Sequence, residues 1–301
     1  MLTGSVKNID NAAAVGSGYF SSIPTKVGYC PIQDYSLNYE IHGNESKDKI
    51  LLVMGLLSSM AGWASIINYF NDNLPVDNRG IGKSTCGSFA RYTTKGMAND
   101  IKCVLEHAGW IKERSGGFIS LELAYLLPSR FKSMTLLVTA AKFRKPPKYH
   151  WHTEKQLLKY RPGHNIIETF IEICFSDNEF LNDVNEEGIT NKEALTKQLE
   201  GIAGNHRPNI YTIFGQSAAL RTHNVEDSRL QEIGKLIPDI VVIGAEEDKL
   251  IDPDSSRHLA KYLDCKSVIV PGKGHAIIME GRNETIKEML EIFQRGNKQW
   301  L

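Results

Sequence analysis

Four stretches of this chain carry side chains that could do chemistry together. "KGHAIIMEG" (273–281) holds His275 in a glycine-flanked loop, where an imidazole can act as a base. "GAEEDKL" (244–250) ends in the acidic trio Glu246, Glu247 and Asp248. A carboxylate there can hold a histidine in one tautomer and stabilise its cation. "ERSGGFISLELAYLLPSRF" (113–131) opens like a catalytic turn, with Ser115 as a small nucleophile, two glycines and then an apolar helix. "VMGLLSSMAGW" (53–63) places a glycine at a strand end, where the Leu56 N–H can help hold an oxyanion. Each piece alone also reads as an ordinary turn, an acidic surface loop or a structural histidine. The order of acid and then histidine on successive strand ends favours the chemical reading.

Other chemistries are set aside. "GIGKST" (80–85) has the Gly-Lys-Ser end of a phosphate-binding loop, but Asp77 stands where the leading glycine belongs. Cys30, Cys86, Cys103, Cys174 and Cys265 are scattered, with no CxxC pair, so neither a disulfide framework nor a metal cluster is expected. No cofactor is expected.

The elements that must position these residues alternate. "SLNYEIHG" (36–43), "KILLVMG" (49–55), "SMTLLVTAA" (133–141), "DIVVIGAEEDKL" (239–250) and "KSVIVPG" (266–272) read as strands, with His42 ending the first. "MAGWASIINYF", "KGMANDIKCVLEHAGW", "GFISLELAYLLPSRF", "PDSSRHLAKYL" and "NETIKEMLEIFQRG" read as helices between and after them. Such alternation implies a mostly parallel sheet covered on both faces, with ligands outside the carboxyl ends of the strands. Residues 142–230 break the pattern with a run of helices, read as an insertion. It starts with the basic, aromatic "KFRKPPKYHWH", read as a solvated entrance, and ends near Gln216 and His223, which can line a pocket.

The chain has 301 residues, 35 acidic and 35 basic, and 42% hydrophobic residues. That balance argues against a nucleic-acid partner. No apolar run is long enough for a transmembrane helix, and no secretory signal is seen, which makes the cytoplasm the default location. The composition leaves the oligomeric state open.

Together, "VMGLLSSMAGW", "DNRGIGKS", "GGFISLELAYLLPSRFKSMTLLVT", "IVVIGAEEDKLI" and "GKGHAIIMEG" resemble the α/β-hydrolase superfamily, in its esterase- and lipase-like branch. The resemblance covers most of residues 28–296. It implies a core of 28–141 and 231–301, a helical cap at 142–230 and an N-terminal extension at 1–27. It also implies a Ser-Asp-His triad, with Asp248 as the acid, His275 as the base and Ser115 as the nucleophile. Leu56 and Gly116 would supply the oxyanion hole, and a small ester or related acyl compound would be the substrate.

The chain departs from the family at the nucleophile. The family motif is Gly-x-Ser-x-Gly, and here Glu113 replaces the first glycine. A strand and its leading loop need roughly 7–12 residues, yet only Ile111–Arg114 separate Trp110 from Ser115. The central strand is therefore expected to be missing or severely shortened, and "NLPV" (73–76) is a thin strand as well. A second alignment sets Ser115 one place past the nucleophile. The competing expectation is thus an inactive protein of the same fold.

Overall fold

A computed structural model describes residues 23–43, 49–70, 72–87, 92–110, 113–115, 118–144, 166–185, 187–205 and 209–298. Its strands are β1 (Lys26–Ile32), β2 (Tyr35–Ile41), β3 (Ile50–Val53), β4 (Asn73–Val76), β5 (Glu113–Ser115), β6 (Phe131–Leu137), β7 (Ile240–Ala245) and β8 (Lys266–Val270). β1 and β2 form an antiparallel hairpin closed by Gln33 and Asp34. β3 pairs in parallel with β4, and β5, β6, β7 and β8 pair in parallel in that order.

The helices are α1 (Ala64–Ile67), α2 (Thr94–His107), α3 (Phe118–Leu126), α4 (Ile166–Cys174), α5 (Asn178–Asn182), α6 (Asn191–Asn205), α7 (Ile210–Thr222), α8 (Asp227–Leu236), α9 (Asp254–Leu263), α10 (Ile277–Glu280) and α11 (Arg282–Lys298). β3, all apolar, is buried along its length. Its alternate residues feed two cores: Leu51 and Val53 meet Met97, Ile101 and Val104 of α2, while Ile50 and Leu52 meet Trp63, Ile66 and Met289. A parallel strand covered by helices on both faces has no polar side to show, which is why "ILLV" is continuous rather than alternating.

The sheet is split. The two ladders run β1-β2-β4-β3 and β5-β6-β7-β8, and β5 lies beside β3 without pairing to it. β5 has three residues and joins β6 only through Glu113–Phe131 and Ser115–Met134, with a register shift between them. The shortage of chain before Ser115 thus appears in the fold as an abbreviated central strand. A cavity of about 30 Å³ follows the seam, lined by Ile50, Leu52, Trp63, Ser133, Thr135 and Met289 among others. The indole N–H of Trp63 is buried with no partner among the described residues.

Small side chains on β6 leave that space unfilled. Ser133→Val puts extra carbon into it, worth about 0.8 kcal/mol per buried methylene. The expected result is a higher urea midpoint with an unchanged m-value. A lower midpoint would mean that the seam is already close-packed.

Candidate functional site

Asp248 follows β7, which is buried along its whole length. Its Oδ1 accepts the N–H groups of Leu250 at 2.8 Å and Ile251 at 2.9 Å, a local turn that aims the carboxylate. Its Oδ2 lies 2.8 Å from Nδ1 of His275, on the loop after β8. Asp248 is 1% exposed. The His275 side chain keeps 29% of its surface open. Burial pulls the pKa of the ring down, but the charge of Asp248 and the hydrogen bond to it outweigh that, and the net shift is upward from 6.5. An imidazole oriented through Nδ1 by a buried carboxylate is equipped to take and return protons at Nε2.

The loop after β3 is fixed by three side chains from elsewhere. Asp77 Oδ1 accepts Met60 N–H at 2.8 Å, Asn78 Nδ2 donates to Met54 O at 2.9 Å, and Gln216 Oε1 accepts Leu57 N–H at 2.5 Å. Leu57 adopts φ +63°, a left-handed conformation strained for leucine, and Gln216 holds it there. Leu56 is half-buried on this loop. The loop "DNRGIGKST" is itself structural. Asp77 Oδ2 also accepts from Asn38 Nδ2 and Lys83 N, both at 3.1 Å. A Cβ on Gly82 would strike the Asp77 carboxylate at 2.2 Å.

Gln216 and His223 are both buried. Gln216 Nε2 donates to Arg79 O at 3.1 Å, so its amide clips the inserted helix α7 onto the loops after β3 and β4. His223 lies 2.9 Å from Thr94 Oγ1 through Nδ1 and 3.2 Å from Ala140 O through Nε2. Burial pushes its pKa down, which suits a neutral ring bridging two elements.

Ser115 is the last residue of β5, and Gly116 lies outside the described residues. The ladder places Ser115 level with Met134, and Met134 level with Ile240. Ile240 is the first residue of β7, whereas Asp248 lies beyond its last, Ala245. Five rungs at about 3.3 Å each put Ser115 roughly 16 Å along the strand axis from the rim where Asp248 meets His275. The structure therefore brings the acid and the base together at the carboxyl edge of the sheet and leaves Ser115 level with the start of β7. The short β5 is the cause: a strand ending so early cannot carry its last residue to the rim.

A third carboxylate belongs to this region and leaves no signal in the sequence. Glu280, at the end of α10, is buried and accepts backbone N–H groups from Gly274, Ser176 at 3.1 Å and Asp177 at 2.9 Å. Its partners lie 6 and about a hundred positions away, so no local pattern marks it. Lys249 is equally silent in the sequence. Its Nζ donates to the carbonyls of Glu172 and Phe175, both at 2.8 Å, at the end of α4. Among the described residues no cluster fit for a metal ion occurs, and no helix is long and apolar enough to cross a membrane.

Comparison with known proteins gives a consistent fold. No family model matches the chain. A RutD protein of Pseudomonas savastanoi pv. phaseolicola, named for carbamate hydrolysis, is 25% identical over 249 residues, 79% of this chain and 91% of its own. The naproxen esterase (carboxylesterase NP) of Bacillus subtilis superposes with a TM-score of 0.72 at 19% identity, covering 91% of this chain and 93% of that one. MGS-M2, an alpha/beta hydrolase enzyme from a Medee basin deep-sea metagenome library, superposes with a TM-score of 0.69 at 23% identity, covering 89% and 97%.

Proposed function

The chain has the α/β-hydrolase fold, and on that premise we propose that it hydrolyses a carboxylic ester or related acyl compound, with His275 as the acid–base residue and Asp248 orienting it. The 2.8 Å contact between His275 Nδ1 and Asp248 Oδ2 at the carboxyl edge of the sheet carries this reading. The described helices α4 to α7 act as a cap over the carboxyl edge of the sheet, and α7 is attached to the core through Gln216. In this reading Ser115 is the nucleophile once β5 has advanced toward the rim, and the N–H groups of Leu56 and Gly116 hold the oxyanion. Serine attacks the acyl carbon, His275 takes its proton and returns it to the leaving group, and water releases the acyl-enzyme. RutD, named for carbamate hydrolysis, keeps carbamates within the substrate class.

The register of Ser115 favours a second reading, in which the pair is intact and the protein is catalytically silent. Attack by Ser115 requires β5 to advance along β6 toward the rim.

Turnover of p-nitrophenyl acetate by wild type and Ser115→Ala separates the two. Under the proposal wild type turns the ester over and Ser115→Ala does not. Equal turnover by both would move the nucleophile to another residue. A folded wild type without turnover would establish the silent form.

A further inference from the structure

The carboxylate of Glu280 is the point where the proposed cap and the acid–base pair are joined. Its Oε1 accepts the N–H of Gly274, the residue before His275, and its Oε2 accepts the N–H groups of Ser176 and Asp177, just past α4. Around it the same two regions are tied four more times. Ala276 N donates to Cys174 O at 2.8 Å, and Ser176 Oγ donates to Glu247 O at 2.9 Å. Lys273 pairs with Asp177, and Lys249, next to Asp248, holds the end of α4. A Cβ on Gly274 would meet Glu280 Oε1 and Ser176 Oγ, both at 2.8 Å, so the loop approaches the carboxylate as closely as backbone allows.

We propose that Glu280 is a positioning residue, whose carboxylate sets the His275 loop against Asp248 and makes that setting depend on the seating of the end of α4. This rests on the reading of His275 as the base. The two oxygens of one rigid carboxylate serve one region each, so a displacement of residues 172–177 pulls on Gly274, and through it on the adjacent imidazole. A ligand that moves the cap would thereby alter the basicity of His275. Burial pushes the Glu280 carboxyl up and the three backbone N–H groups oppose that by favouring its charged form, so the joint and the ionised carboxylate support each other.

The substitutions separate this role from two simpler ones. Glu280→Gln keeps size but turns one oxygen into an amide N–H₂, which cannot accept, so one of the two regions is released. Glu280→Asp keeps the charge and shortens the reach. The readout is the titration of the His275 ring by NMR in the full chain, assigned by its loss in His275→Ala, with amide exchange at Gly274, Ser176 and Asp177. Both variants are expected to lower the midpoint of His275 toward 6.5 and to speed exchange at all three amides together, about tenfold or more. An unchanged midpoint in both, with only a lower melting temperature, would make Glu280 merely structural and overturn the proposal. A fall in Glu280→Gln alone would also overturn it, because direct loss of charge would then suffice. Should the variants fail to fold, exchange in wild type decides: the three amides open as one unit, or the joint does not exist. Absence of ester turnover would count against the proposed function, yet these titrations would remain readable.

Discussion

Replacing His275 by alanine lowers kcat/KM for p-nitrophenyl acetate by about 10⁴-fold, with the far-ultraviolet circular dichroism of the wild type retained. The magnitude is the upper end of what a positioned proton-transfer group contributes, here the one that takes the nucleophile's proton and returns it to the leaving group. The fold should survive, because the ring is partly exposed and no sheet rung depends on it. Asp248→Asn falls in the same range by leaving the imidazole in the wrong tautomer. The pH dependence has a definite sign. Asp248 raises the folded pKa of His275 above 6.5. The stability gained from the pair is therefore full below 6.5 and lost as pH rises through the folded value. Base activity rises across the same window, as the ring gives up its proton. Turnover by His275→Ala equal to that of wild type would remove the imidazole from the mechanism.

The second large effect is on stability. Asp100→Ala costs about 3–5 kcal/mol of unfolding free energy, the usual result of stranding one partner of a buried ion pair. Arg79 and Asp100 have side chains 7% and 5% exposed and meet at 2.6 Å. Tyr35 donates its hydroxyl to the other oxygen of Asp100 at 2.8 Å, and the guanidinium lies over the rings of Tyr35 and Tyr92. Alanine at 100 leaves that cation dry and unpaired between two aromatic faces. The loss reaches the site, since Arg79 O is also the acceptor for Gln216. Urea unfolding at constant m-value measures it, and a cost under about 1 kcal/mol would show that water reaches Arg79.

Much of this architecture was readable in the residues themselves. The buried runs of β3, β6 and β7 and the apolar face of α2 announce themselves by composition and period. Asp248 and His275 were found because acid and base follow successive strands. The β1–β2 hairpin was half missed, because Gly28 and Pro31 spoil the alternation in "KVGYCPI". The structure explains the glycine: a Cβ on Gly28 would strike the ring of Tyr39 at 2.3 Å.

"MAGWASIINYF" was expected as one helix, yet it forms a single 3₁₀ turn, Met60–Trp63, followed by the short α1. Asn73 Nδ2 takes the carbonyls of Ile67 and Phe70, a capture by tertiary contact that helix periodicity cannot reveal. Glu280 leaves no sequence signal for the same reason, since two of the backbone N–H groups it accepts come from a segment about a hundred positions away. The shortage of residues before Ser115 was legible by counting. Its consequence, a serine at the level of Ile240, needed the ladder register.

The arrangement at the rim is tested most directly by titrating the His275 ring by NMR in wild type and in Asp248→Asn. A midpoint above 6.5 that falls when the carboxylate becomes an amide is the expected result. A midpoint at or below 6.5 that Asp248→Asn leaves unmoved would mean that the two side chains do not interact in solution, and the hydrolytic reading would fall with them.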